Sequence, residues 1–157
     1  MNYRILAFVA LGLWIATVLV VAVLFVRGQT VPSADGRRAV VLAPAERDLV
    51  LAEMRNMLMA VQGIVQAAQA GDAARVAMAA RASGMAAAVD VNPALMARLP
   101  LDFKQLGLSV HRGFDELAAA ADKGAATGDI LMRLGNQLSA CVGCHAGYRL
   151  QAEGPTK

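Results

Sequence analysis

Ile5–Val26 is an unbroken run of 22 residues without a charged side chain. As an α-helix it would rise about 33 Å, enough to cross a hydrocarbon core of about 30 Å. A signal peptide has an apolar region of about 7–15 residues followed by a small-residue cleavage site. This run is longer and ends in Val26 and Arg27, so residues 1–27 read as an uncleaved signal-anchor, with cleavage near Ala34 as the alternative. Gly28–Ala43, holding Pro32, Ser33, Asp35 and Gly36, reads as a flexible linker. Roughly 115 residues remain, enough for one small domain and too few for a large multidomain enzyme. Of the 15 Lys and Arg residues only Arg4 and Arg27 precede Gly28, leaving 13 against 12 Asp and Glu spread along the chain. That balance forms no basic patch and argues against nucleic-acid binding.

From Pro44 onward the periodicity is helical throughout, predicting an all-α domain over 44–150 and a short tail over 151–157. Pro44 suits a first helical turn, and Leu51, Met54, Leu58, Val61, Val65 and Ala68 follow at steps of three and four up to Gly71. Asp72 is placed to cap a second helix from Ala73 to about Val89, before Asn92 and Pro93 break it. A third runs from about Leu101 to Lys123 with Phe103, Leu106, Val110, Phe114 and Leu117 on one side. The fourth starts at Asp129 and carries Leu131, Leu134, Leu138, Cys141, His145 and Tyr148 on one stripe. Four such helices with short connections predict an antiparallel four-helix bundle. Phe103, Phe114 and Tyr148 are the only aromatic residues after the apolar run, so this core has room for a large guest.

The two cysteines fall in Cys141-Val-Gly-Cys144-His145. That spacing lets two thiols add across the two vinyl groups of one haem while the next residue reaches the iron. At about 100° per residue, Cys144 and His145 lie roughly 60° behind and 40° ahead of Cys141, so all three face one flat ligand. A thioredoxin-like dithiol belongs at a helix start after a strand, whereas this pair sits deep in the last helix. A zinc site needs four ligands, and the only other His is His111. Two idle thiols beside a surface His would leave unexplained why all three share the apolar stripe. One covalently attached haem c is therefore the expected cofactor. In bacteria that attachment happens outside the cytoplasmic membrane, which places the C-terminal domain in the periplasm on a single span of the inner membrane. Arg27, Arg37 and Arg38 on the exported side run against the positive-inside rule; the cysteine chemistry is the stronger constraint.

A haem-attachment motif near the end of a four-helix bundle, continued by Tyr148 and Arg149, resembles the cytochrome c′ family, the class II c-type cytochromes. The likeness covers Pro44 to about Leu150 and extends to the third helix, Asp102-Phe103-Lys104 through Leu117-Ala118-Ala119. The membrane anchor departs from it, since family members are usually free periplasmic proteins. The resemblance implies that His145 is the proximal axial ligand of the iron. Arg149, one turn on, either meets the imidazole or a haem propionate or is a solvated cation at the helix end.

The resemblance also implies an Arg four residues before the distal position, and two pairs fit: Arg47 with Leu51, and Arg55 with Met59. The second is set aside because the face of Met59 continues as Gln62, Gln66 and Gln69, amides that belong in water. The first leaves Leu51 as an apolar distal wall over a five-coordinate iron. Met54, on the same seam, is the candidate distal ligand; Met57 borders that seam less favourably, and His111 is expected at the pocket edge or in solvent. Neither Met96 nor Met132 has a spacing that singles it out. The expected function is a membrane-tethered mono-haem electron carrier that passes single electrons between redox partner proteins and is not an enzyme. The alternatives are a haem protein binding nitric oxide or carbon monoxide, and a fixed haem subunit of a respiratory complex. The resemblance allows a homodimer through the first two helices.

Overall fold

The computed structural model describes residues 3–88 and 92–154. Helix α1 (Tyr3–Arg27) buries none of its residues and is long and apolar enough to cross a membrane. It is followed by strands β1 (Thr30–Pro32) and β2 (Arg38–Leu42), helices α2 (Pro44–Gln69) and α3 (Ala73–Arg81), and a 3-10 turn over Met85–Ala88. Then come α4 (Pro93–Arg98), α5 (Leu101–Asp122), α6 (Thr127–Gly147) and β3 (Tyr148–Ala152). The chain is mostly helical, but the small sheet corrects the all-α expectation.

Local chemistry sets the boundaries. Pro44 opens α2, where the Glu46 carboxylate accepts from the Ala43 amide at 3.0 Å. The left-handed Gly71 (φ +68°) closes it. Asp72 then caps α3 by accepting from the Arg75 amide at 2.9 Å, and Asn92 caps α4 through the Ala94 amide at 2.8 Å. The second predicted helix stops at Arg81 rather than near Val89, which lies outside the described residues. It ends where the Ser83 and Gly84 amides turn to the Ala80 and Arg81 carbonyls at 3.0 and 3.1 Å, and Gly84 then packs so closely on Asp115 of α5 that a Cβ there would overlap the carboxylate.

Residues 28–43, expected as a flexible linker, are ordered structure. Ser33 and Arg37 close a hairpin turn (Ser33 N to Arg37 O 2.9 Å), and β2 pairs antiparallel with β1 and parallel with β3. Ala39, Val40 and Leu42 are completely buried, so the apolar run Ala39–Leu42 is a core strand. Part of the expected 151–157 tail belongs to β3 for the same reason: Gln151 pairs with Val41 and Ala152 with Leu42. Tyr148, expected on the last helix, begins this strand instead.

Two apolar clusters hold the domain together. One gathers Ile64 of α2, Val76 of α3, Phe114 and Leu117 of α5, and Ile130 and Leu134 of α6. The other joins Val40 and Leu42 of β2 to Val50, Leu95, Leu99, Phe103 and Tyr148. Helix α2 is rotated from the expected seam: Val50, Ala60, Ile64, Ala67 and Ala68 are buried, while Leu58 and Val65 are 69% and 44% exposed. The cause is close packing of small residues. A Cβ on Gly63 would lie 3.1 Å from that of Ala79 in α3, and the turn of α2 that brings Gly63 against α3 moves Leu58 and Val65 outward. In α6, Leu134 is buried whereas Leu131 is exposed.

Candidate functional site

The final turns of α6 carry the motif. Cys141 and Cys144 are both free thiols and both half-buried. Cys141 packs on the first cluster, as do Met57, Val61 and Leu138. Cys144 packs on the second, as do Met54, Met96 and Leu106. Burial pushes both thiols above the ordinary cysteine range, and Cys144 is raised further by Cys141 and by the nearby Asp102 charge. His145 is exposed. Its carbonyl accepts from Arg37 Nη1 at 3.3 Å, and its ring has no hydrogen-bond partner among the described residues. The exit from α6 is fixed by Tyr148, whose ring meets Phe103 edge-on at 5.3 Å and lies under the Arg38 guanidinium at 4.4 Å. The Tyr148 hydroxyl and Asp102 are both bonded by Arg38. Burial, then the Asp102 hydrogen bond, raises the Tyr148 phenol. Burial pushes Asp102 up as well, but the Tyr148 and Arg38 hydrogen bonds outweigh it and hold the carboxyl below its usual range.

Of the other residues singled out in the sequence, Met54 is half-buried and shares the cluster on which Cys144 packs. Arg47 and Leu51 are half-buried near the start of α2, and Leu51 belongs to neither cluster. Met59 is 60% exposed and Met132 is exposed. Arg149 is exposed and donates to Ser33 Oγ at 3.1 Å, tying it to the hairpin turn. His111 is not in solvent: it is 4% exposed, with Nδ1 2.9 Å from the Ser83 carbonyl and Nε2 3.0 Å from Glu53 Oε1. Both ring nitrogens are thereby engaged, which leaves neither free for a metal.

His111 lines a cavity of about 260 Å³ together with Glu53, Asn56, Met57, Phe103 and Lys104. None of its lining residues comes from α6, but Val50, Met96, Leu99 and Phe103 on its wall belong to the cluster on which Cys144 packs. The cavity is smaller than the ~300–1,000 Å³ of typical cofactor pockets. The Arg38–Asp102–Tyr148 cluster was not foreseen. The sequence offered only its two halves, an apolar Ala39–Leu42 run and a short alternating stretch at Tyr148–Ala152, and not their pairing.

No group of three or more His, Cys, Asp or Glu side chains is arranged to hold a metal ion among the described residues. The donor set that exists is two unbonded thiols three residues apart and an exposed imidazole four residues after the first, flanked by apolar side chains of both clusters. That set fits a haem held by two thioethers and one axial nitrogen. Comparison with protein-family models, curated proteins and solved structures found no match.

Proposed function

We propose that this chain is a membrane-anchored mono-haem c-type cytochrome that passes single electrons between redox partner proteins. The observation that carries the reading is the pair of free, half-buried thiols with an exposed imidazole on the last turns of one helix. Cys141 and Cys144 would each add S–H across one vinyl group of the haem, a step that consumes no oxidant or reductant. His145 would supply the axial nitrogen. When bound, haem c supplies a one-electron couple. The residues around it have other work. Phe103, Tyr148 and Arg38 hold the end of α6, and Met54 stands in the cluster beside Cys144 as the candidate distal ligand. In this reading α2, α3, α5 and α6 form the four-helix bundle of a class II cytochrome, α1 spans the inner membrane, and the domain faces the periplasm. The exposed Leu58, Val65 and Met78 on α2 and α3 form the surface that a homodimer through those helices would cover.

A second reading keeps the same haem but leaves the iron open beneath Leu51, for binding nitric oxide or carbon monoxide. It is favoured by the half-buried Arg47 and Leu51 at the register the family resemblance implies. The test is the absorption spectrum of full-length protein from a host able to attach haem, in both oxidation states, with and without carbon monoxide. A covalently retained haem with no carbon monoxide shift supports electron transfer. A ready shift supports the open iron. Colourless protein whose two thiols remain alkylatable overturns both.

A further inference from the structure

The junction between α1 and the domain is built as a joint. Gly28 ends the helix with its amide on the Leu24 carbonyl at 2.9 Å and a left-handed φ of +60°. A Cβ there would overlap the Pro100 nitrogen and lie 2.6 Å from the Arg98 carbonyl oxygen, so only glycine lets the backbones approach this closely. The next amide, Gln29, donates to the Arg98 carbonyl at 2.7 Å, and the Gln29 carbonyl accepts from Val41 at 2.8 Å. Lys104 is 5% exposed. Its ammonium donates to the Phe25 carbonyl at 2.8 Å, one of the unsatisfied carbonyls in the last turn of α1, and to the Met96 carbonyl at 3.1 Å. The same ammonium lies 3.3 Å from the Phe25 ring centre.

Beside this joint is an open recess of about 640 Å³ lined by Val26, Arg27, Thr30, Arg38, Asp102 and Gln105, with Gly28 and Leu101 completing it. Two guanidinium groups and one carboxylate leave it net positive. Arg38 is paired with Asp102, whereas Arg27 has no ion-pair partner among the described residues. A 25-residue helix rises about 37 Å, so a span centred in a ~30 Å core carries Arg27 to the level of the lipid headgroups. A basic cleft of cofactor-pocket size, fixed at that depth by a rigid joint, has one abundant neighbour of the right charge and size.

We infer that this recess holds the headgroup of an anionic phospholipid, its phosphate facing Arg27 and Arg38, and that the lipid seats the domain on the membrane in one orientation. The inference rests on α1 being a membrane span and is independent of the haem.

Full-length protein is reconstituted into nanodiscs containing phosphatidylglycerol or only phosphatidylcholine, each with a trace of the matching lipid bearing a photoactivatable headgroup. Crosslinks to Thr30, Leu101 or Gln105, with phosphatidylglycerol favoured about five-fold, are expected. Arg27→Gln should remove that preference, and amide exchange at Gln29 and Val41 checks that the joint is intact in the variant. Crosslinks confined to α1, or equal yields from the two lipids, overturn the site in the unaltered protein. Loss of the crosslink in millimolar inorganic phosphate would assign the recess to free phosphate and overturn the lipid. Protein that carbonate washing releases from membranes would instead refute the span itself.

Discussion

His111 Nε2 lies 3.0 Å from Glu53 Oε1, joining α5 to α2 on the wall of a partly open cavity. The Ser83 carbonyl at Nδ1 can only accept, so that nitrogen donates. The Glu53 carboxylate at Nε2 then favours a second ring proton, and the hydrogen bond to Glu53 raises the imidazole above its ordinary 6.5 despite burial. A raised folded value means the stabilisation is fully present below the unfolded value and is lost as pH climbs through the folded one. The urea midpoint should therefore fall as pH rises above about 6.5. His111→Gln should flatten that slope, and Glu53→Gln should weaken the fold by about 1–2 kcal/mol at pH 6. An unchanged slope in His111→Gln would refute the assignment.

Tyr148 anchors the exit of α6. Its buried ring fills the second cluster against Phe103, and its hydroxyl completes the Arg38–Asp102 pair. Tyr148→Phe keeps the packing and should cost about 1 kcal/mol. Tyr148→Ala should cost about 3–5 kcal/mol, since a large aromatic leaves a cavity. The phenol is held above its ordinary value, so its contribution is present below pH ~10 and drains away above it. Ultraviolet titration should show no phenolate from Tyr148 at pH 10 while the domain stays folded.

The helical elements were legible where a breaker or cap stood at each end. Pro44 and Gly71 bound α2, and α5 ends one residue before the predicted Lys123. The sheet was missed because its strands are short and distant in sequence: Arg38 meets Tyr148 across the whole domain, and local pattern carries no record of such pairing. Pro32, Ser33, Asp35 and Gly36 do mark a turn, but a hairpin turn and a linker share that composition. The slip in the α2 seam has another origin. Leu58 and Val65 outweigh Ala60 and Gly63 in any hydrophobic count, yet the small residues win the interface because they let α3 come close. At the candidate site, spacing alone put Cys141, Cys144 and His145 together on the last turns of one helix, and α6 carries them there. The Glu53 partner of His111 was not readable, since it comes from another helix.

The thiols offer a check that needs no haem spectrum. Burial raises both, and Cys144 also feels Cys141 and Asp102. Only the thiolate reacts with iodoacetamide. Before haem attachment, both should alkylate more slowly at pH 7 than a free cysteine, and denaturation in urea should restore the ordinary rate. After attachment neither should react, even in urea, because a thioether has no thiol to offer. Alkylation of either cysteine in coloured, denatured protein would show a haem held by fewer than two bonds.

In the proposed haem protein, distal ligation would turn on α2. Met54 packs on the cluster that Cys144 touches, whereas Leu51, one turn earlier, lies outside both clusters. A thioether on a flexible three-bond stem can reach where a branched side chain cannot. If it binds, the oxidised protein is low-spin and carries a sulfur-to-iron charge-transfer band that an iron without the thioether lacks. Met54→Ala should then abolish the band, convert the iron to high-spin and open it to carbon monoxide, while Leu51→Ala leaves the band in place. Met54→Ala also removes part of the packing of a half-buried side chain and should cost about 1–2 kcal/mol, so the spectra belong well below the unfolding temperature. A high-spin spectrum in the unaltered protein, indifferent to Met54→Ala, would remove Met54 as ligand and leave Leu51 over an open iron, the arrangement a gas-binding protein needs.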